Sequence, residues 1–275
     1  MIFNRFNTFT LLSCTLLMAN TTVANSFLKG FSPFKSHPEE KISLSEQVSD
    51  KCRISISNIN GDISVKSWKH NKIVIEAVKK GSEKSILDTK IKKTVTNDTV
   101  NIETAFTGND AKCTVNYDIL IPESAHLQSV QTREGKITIT NVQNGVVAKT
   151  ENGPIVLDNV TGPIKTSSNQ GCITISTQSL ISDNDILAIT GKGTIKVSFP
   201  QDSDADVHLK TNSGSITSAH DITFEELTMK LNKKTLAEFK KVAQGTIGRK
   251  ATNSGKKIAS LKLHTSKGNI ILAEA

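Results

Sequence analysis

From Cys52 onward, apolar and polar residues alternate in short runs, as in Cys52-Arg-Ile54-Ser-Ile56 and Cys113-Thr-Val115-Asn-Tyr117. A period of two marks strands with one face in a core and the other in solvent. Longer runs of the same kind are Lys72-Ile-Val-Ile-Glu-Ala-Val78 and Val115-Asn-Tyr-Asp-Ile-Leu-Ile121, the latter stopped by Pro122.

One phrase recurs through the alternation: a Ser or Thr, two residues, Gly, one residue, Ile. It appears as Thr132-Arg-Glu-Gly135-Lys-Ile137, Thr150-Glu-Asn-Gly153-Pro-Ile155, Ser168-Asn-Gln-Gly171-Cys-Ile173 and Thr190-Gly-Lys-Gly193-Thr-Ile195. Two further copies are Thr211-Asn-Ser-Gly214-Ser-Ile216 and Thr265-Ser-Lys-Gly268-Asn-Ile270, with an early variant at Asn58-Ile-Asn-Gly61-Asp-Ile63. From Gly135 the glycines step by 18, 18, 22 and 21 residues, then by 54 before the last copy. Gly145 and Gly162 halve the period in the middle, so each circuit holds two strands and two corners.

A repeat near twenty residues is the mark of a solenoid. Glycine supplies a positive φ at the corner. The stiff branched Ile two residues later starts a strand that packs in a ladder. The hydroxyl three residues before each Gly can bond across coils or close the turn. The pattern therefore predicts an all-β, β-solenoid or β-helix-like stack of short strands. Its corners are Gly61, Gly135, Gly153, Gly171, Gly193, Gly214 and Gly268. Its inward ladder is Ile63, Ile137, Ile155, Ile173, Ile195, Ile216 and Ile270. Residues 46–131 are expected to cap one end, a small helical insert is expected near 234–244, and Leu261 to Leu272 resumes the alternation.

The amino terminus follows a different pattern. Met1 to Ala24 joins Arg5 to an apolar run through Leu11, Leu12, Leu16, Leu17 and Met18 and a small-residue exit, Thr22-Val23-Ala24. These are the parts of a secretory signal peptide cleaved after Ala24, and the run is too short and polar to span a bilayer. Leu11-Leu12-Ser13-Cys14 has the form of a bacterial lipobox, yet apolar sequence continues beyond Cys14, so cleavage rather than lipid anchoring is expected. The expected organisation is a signal peptide at 1–24, a flexible Pro33- and Pro38-bearing leader at 25–45, and a repeat domain at 46–275. The mature chain is then extracytoplasmic, whether periplasmic, cell-surface or secreted, and not integral to the membrane.

The 275 residues carry 34 Lys and Arg against 26 Asp and Glu, a net charge of +8 that falls to +7 when Arg5 leaves with the signal peptide. A positive balance favours anionic partners. The pairs Lys79-Lys80, Lys92-Lys93, Lys233-Lys234, Lys240-Lys241 and Lys256-Lys257 have no aromatic residues between them, so no specific nucleic-acid binding is expected. They read as solvated faces, or as one composite anion-binding stripe. A single Trp and a single Tyr leave little to line a cofactor or sugar pocket, and no cofactor is implied.

In an oxidising compartment Cys52, Cys113 and Cys172 acquire a second meaning. Cys52 and Cys113 open alternating strands and are candidates for a disulfide, with three reduced thiols as the other reading. No metal site is expected. Asp202-Ser-Asp204-Ala-Asp206 begins like a calcium loop, but Val207 stands at the sixth position and Ser213 at the twelfth, which excludes an EF-hand. The six histidines, His37, His70, His126, His208, His220 and His264, show no paired ligand spacing, although His208 and His264 share a strand face. There is no Gly-x-Ser-x-Gly elbow and no phosphate loop.

The chain resembles the putative-adhesin β-strand repeat family of bacterial envelope proteins, a domain of unknown function. The resemblance rests on Ile59-Asn-Gly-Asp-Ile-Ser-Val65 followed by Trp68, on Tyr117-Asp-Ile-Leu-Ile-Pro122 leading into Val130-Gln-Thr-Arg-Glu-Gly135, and on the repeated phrases. It also rests on Gly245-Thr-Ile-Gly248 before Leu263-His-Thr-Ser-Lys-Gly268-Asn-Ile270. It covers roughly Lys51 to Ala275 and departs from the pattern between His220 and Ser260. It implies a β-solenoid-like stack without catalytic residues, in a protein that binds or scaffolds at the envelope. Residues and resemblance together give a non-enzymatic, adhesin-like binding or scaffold protein whose partner is an envelope or host surface polymer or protein, anionic if the charge matters. The alternatives are a β-helix enzyme acting on envelope or host polysaccharide, with Asp158, Asp183 and Lys165 as its candidates, and an envelope-stress or regulatory module sensing anionic lipid or a protein partner.

Overall fold

A computed structural model describes residues 38–49, 51–96, 98–108, 113–181, 184–224, 242–248 and 258–275. The expected signal peptide with Cys14, residues 25–37 of the expected leader, Asp183 and the lysine pairs 233–234, 240–241 and 256–257 lie outside these residues. The amino-terminal part runs β1 (Glu39–Gln47), β2 (Arg53–Ser57), β3 (Ile63–Trp68), β4 (Lys72–Lys80) and α1 (Glu83–Asp88), then β5 (Thr89–Thr96), β6 (Thr99–Phe106) and β7 (Thr114–Pro122). The repeats follow as β8 (His126–Glu134), β9 (Ile137–Thr140), β10 (Val146–Asn152), β11 (Ile155–Asp158), β12 (Ile164–Gln170) and β13 (Ile173–Ser176). Next come β14 (Ile186–Lys192), β15 (Ile195–Phe199), β16 (Ala205–Ser213) and β17 (Ile216–Ser218). The chain ends with β18 (Ile222–Phe224), β19 (Val242–Ile247), β20 (Ala259–Lys267) and β21 (Ile270–Glu274).

The protein is all-β, built as two large sheets. The first has the order β1-β4-β7-β3-β9-β11-β13-β15-β21-β17 and the second β18-β19-β16-β20-β14-β12-β10-β8-β2-β6-β5. From β8 to β17 consecutive strands alternate between the two sheets. Strands two apart in sequence therefore lie parallel and in register, as Ile137, Ile155, Ile173 and Ile195 do in the first sheet. Their inward side chains meet those of the second sheet in one apolar core of Ile, Val, Leu and Ala. The parallel centre gives way to antiparallel strands at both ends. There β1 pairs β4, β4 pairs β7 and β5 pairs β6, while β18 and β19 close the far edge of the second sheet. These strands cover edges that would otherwise be open to another chain.

A polar spine runs along the corner. The hydroxyl three residues before each corner glycine donates to the carbonyl of the neighbouring corner: Thr132 to Gly61 (3.2 Å), Thr150 to Gly135 (3.3 Å), Ser168 to Gly153 (3.1 Å) and Thr190 to Gly171 (2.9 Å). Thr265 donates to Gly193 and Thr211 to Gly268 at 2.9 and 2.8 Å. Asn58, in the variant copy, donates to Val115 at 2.8 Å. All seven side chains are buried, so each of these carbonyls finds its donor inside the protein. At Gly153 (φ +150°) an added Cβ would stand 2.0 Å from the Gly135 carbonyl oxygen. Positive φ is not the requirement everywhere. Gly171 lies outside the left-handed range, and there the close approach alone, 1.9 Å from the Gly153 oxygen, demands glycine.

Several expectations need correction. The fold begins before residue 46: Glu39–Gln47 pairs along all of β4, with Ile42 and Leu44 packed against the core and Glu39–Lys80 and Glu40–Lys79 ion-paired at its start. Of the expected helix near 234–244, residues 234–241 lie outside the described residues and 242–244 belong to β19, where they extend the edge of β16. The helix that is described is α1, one short turn capped by the Ser82 side chain, which accepts from the Ser85 N–H. Ile216 is only partly buried, because β17 is the edge of its sheet. Leu261 to Leu272 resumes the alternation as expected, and the order of its strands is not that of the chain. In both sheets it sits between its predecessors, as β14-β20-β16 and β15-β21-β17.

Candidate binding face

Because inward positions alternate with outward ones, each sheet presents a second face to solvent, and the two faces differ. On the first sheet the outer rows read Ser64, Thr138, Val156, Thr174, Lys196, Ile271, Thr217 and Lys66, Thr140, Asp158, Ser176, Ser198, Ala273. These are mostly short hydroxylated side chains with few charges.

The second sheet is basic. One outer row runs Val147, Lys165, Leu187, Lys262, His208, and the next Lys149, Ser167, Ile189, His264, Lys210. At the strand ends, in line with the inward positions but exposed at the corner, run Gln170, Lys192, Lys267 and Ser213. Four lysines, Lys149, Lys165, Lys262 and Lys210, thus stand on the outer face of five adjacent strands, which cover about 19 Å at ~4.8 Å per strand, and Lys192 and Lys267 add charge at the strand ends. Glu151 and Asp206 are the carboxylates on those strands. Val147 and Ile189 remain 40% exposed among the lysines, so the face offers apolar as well as cationic contact. His208 and His264 do share this face: His208 stands beside Lys262 and His264 beside Lys210, diagonally across β16 and β20.

The enzyme candidates do not come together. Asp158 projects from the outer face of the first sheet and Lys165 from that of the second, with the core between them, while Asp183 lies outside the described residues. Asp202 and Asp204 occupy the turn between β15 and β16, and Asp206 lies exposed on β16. Among the described residues no three His, Cys, Asp or Glu side chains are grouped to hold a metal ion. Cys52 and Cys113 are buried free thiols before strands of opposite sheets, β2 and β7, and Cys172 is an exposed free thiol beside a corner glycine. Burial pushes the Cys52 thiol above its ordinary pKa. His220 is buried, stacked on Phe199 at 4.0 Å, with its Nε2 3.0 Å from the Ala273 carbonyl oxygen.

One feature escaped sequence reasoning. A polar cleft of about 450 Å³ opens at the turn opposite the glycine corners, lined by Ser67, Glu123, Asn141, Gln143, Asn159, Thr161 and Gln178. Asn141 and Asn159 both take positive φ there, and the Asn159 side-chain amide donates to the Asn141 side-chain oxygen at 2.8 Å. Their separation of 18 residues, the same as the glycine step, was the available signal.

No family model matches the chain, and none of the curated proteins does. Among solved structures it is similar to a putative cell adhesion protein from Clostridium sporogenes, at 11% identity and TM-score 0.48 over 87% of this chain and all of that one. It is also similar to a putative adhesin from Bacteroides fragilis (12% identity, TM-score 0.38, 90% of this chain and 100% of that one). A third is a putative adhesin from Parabacteroides distasonis (11% identity, TM-score 0.26, 84% of this chain and 97% of that one). Among the described residues no helix is long and apolar enough to cross a membrane.

Proposed function

We propose that this chain is an extracytoplasmic, non-enzymatic binding or scaffold protein of the cell envelope, adhesin-like in role. In this reading the two-sheet stack is a β-solenoid whose lysine-bearing outer face takes an extended anionic polymer of an envelope or host surface. The observation that carries the proposal is the charge difference between the faces. Lys149, Lys165, Lys210 and Lys262 project from the outer face of the second sheet, with Lys192 and Lys267 at its corner, whereas the matching strands of the first carry Lys196 as their one lysine, together with Asp158 and mostly hydroxylated or apolar residues. A flat face with rows of cations at strand spacing suits a repeating polyanion better than a small ligand, which needs a concave apolar pocket. The signal peptide pattern supports delivery outside the cytoplasm.

Co-sedimentation of the mature chain with an insoluble polyuronate, at low and at high salt, tests the proposal. Binding should fall several-fold between the two, because exposed charge pairs are screened within about 8 Å at physiological ionic strength. Lys165→Glu with Lys262→Glu should remove it, while Lys196→Glu on the other face should not. Equal loss from both sets would show attraction by net charge rather than by this face. Release of soluble oligosaccharide would replace the proposal with the polysaccharide-cleaving alternative.

A further inference from the structure

The last seventeen residues occupy an unusual place. Ala259–Lys267 and Ile270–Glu274 form a complete coil, with one strand for each sheet and a corner at Gly268, and it lies between two coils made earlier in the chain. On one side β20 pairs with β14 and β21 with β15; on the other, β20 pairs with β16 and β21 with β17. The segment is held by the same bonds on both flanks. Gly193 N–H donates to Lys267 and Ile195 N–H to Asn269, while Gly268 N–H donates to Ser213 and Ile270 N–H to Ser215, all at 2.8–2.9 Å. The Thr265 and Thr211 hydroxyls continue the spine through it.

We infer that the place held by β20 and β21 is a strand-acceptor slot, and that two copies of this chain exchange their C-terminal coils through it to form a reciprocal dimer. Both walls are in place in the chain before the occupant. The Thr190-Gly193-Ile195 coil and the Thr211-Gly214-Ile216 coil precede residue 259 in order of synthesis. Without residues 259–275 the backbone groups of β14, β15, β16 and β17 that now pair with β20 and β21 would lack those partners, and such edges recruit strands. All the recognition resides in one short segment, whose bonds are the same whether it comes from the same chain or from another. Reciprocal exchange satisfies both slots, closes with two-fold symmetry and leaves no new edge, so the second copy is the fitting partner.

The test uses Thr217 and Ile271, register partners on β17 and β21 with side chains on one face. Neighbouring strands at ~4.8 Å lie within disulfide reach. In a Cys172→Ser background, a chain carrying both Thr217→Cys and Ile271→Cys is oxidised to confirm that the pair closes. Two differently tagged chains, one with Thr217→Cys alone and one with Ile271→Cys alone, are then unfolded and refolded together, and in parallel refolded separately and mixed. The proposal expects a disulfide-linked heterodimer from co-refolding that increases with protein concentration and is absent from the separately folded mixture. Gly268→Val in the Ile271→Cys chain should abolish it, because a Cβ there would stand 2.0 Å from the Gly193 oxygen. Heterodimer formed equally in both mixtures would mark random collision and overturn the proposal. So would intrachain closure of the double variant with no heterodimer from co-refolding, or failure of the double variant to close while it folds.

Discussion

The Thr265 hydroxyl donates across 2.9 Å to the carbonyl oxygen of Gly193, although the two residues stand 72 positions apart in the chain. The same bond joins residues 19 positions apart at Thr190 and Gly171. The repeat phrase therefore encodes a contact between neighbouring copies of itself without regard to how far apart those copies are in sequence. The spine is where the fold should be most sensitive to substitution.

At Ser168 the hydroxyl can be removed without changing the shape of the corner. Ser168→Ala leaves the half-buried Gly153 carbonyl without its 3.1 Å donor and should cost about 1 kcal/mol. Ser168→Thr should be neutral or stabilising, since Thr holds the same position in the flanking copies at Thr150 and Thr190. Urea unfolding checks both: the Ala midpoint should fall with an unchanged slope, and equal midpoints would remove the spine from the account of stability.

Gly153→Ala should be far more damaging. It combines a φ of +150° with a Cβ 2.0 Å from a backbone oxygen that cannot move without its strand, and a loss of at least about 3 kcal/mol is expected. Cys172→Ser, one residue past a neighbouring corner and exposed, should stay within about 0.5 kcal/mol. Thermal unfolding followed by far-UV circular dichroism separates them; a Gly153→Ala midpoint equal to that of the parent would contradict the stacked corner.

Tyr117, the single tyrosine, is 1% exposed, and its hydroxyl lies 2.7 Å from the Thr104 hydroxyl. Burial pushes its pKa from 10.0 up to about 12, against the smaller opposing effect of the Thr104 hydrogen bond. The unfolded chain releases this proton first. Stability is therefore full below pH 10 and falls as the pH rises from about 10 to about 12, by roughly 2–3 kcal/mol in all. Tyrosinate absorbance at 295 nm in the folded protein should titrate late and with unfolding, and Tyr117→Phe should flatten the stability loss in that window. A folded-state titration near pH 10 would refute the burial argument.

Thiol counting addresses the cysteines directly. In the mature chain Cys172 should react at once with an aromatic disulfide reagent, whereas Cys52 and Cys113 should react only on unfolding, buried and, for Cys52, with a raised pKa. Three thiols should appear in denaturant without reductant. A single thiol would show that Cys52 and Cys113 are joined after all.

The repeat was legible because each of its parts answers a local demand: Gly for close approach, Ile for the pleated ladder, a hydroxyl for the corner carbonyl. Residues such as Gly171, Ile173 and Ser168 carry that information within six positions. The extent of β1 was harder to read, because Glu39–Gln47 is highly polar and is strand only by virtue of the β4 edge beside it. The fate of 242–244 was missed for the same reason, since β19 exists as an addition to β16.

The sequence by itself determined the strand period, the corners and the inward ladder apart from Ile216 at the sheet edge, because backbone sterics and side-chain alternation act between near neighbours. It did not determine where the final coil would go. Thr265-Ser-Lys-Gly268-Asn-Ile270 carries the same phrase as the other copies, so every coil edge offers it compatible bonds. Only the assembled stack places it between Gly193 and Gly214. That choice also built the basic face, by setting Lys262 between Leu187 and His208 and His264 between Ile189 and Lys210. Charges scattered along the chain become a surface only when strand order brings them side by side, and strand order is a property of the whole core rather than of any one repeat.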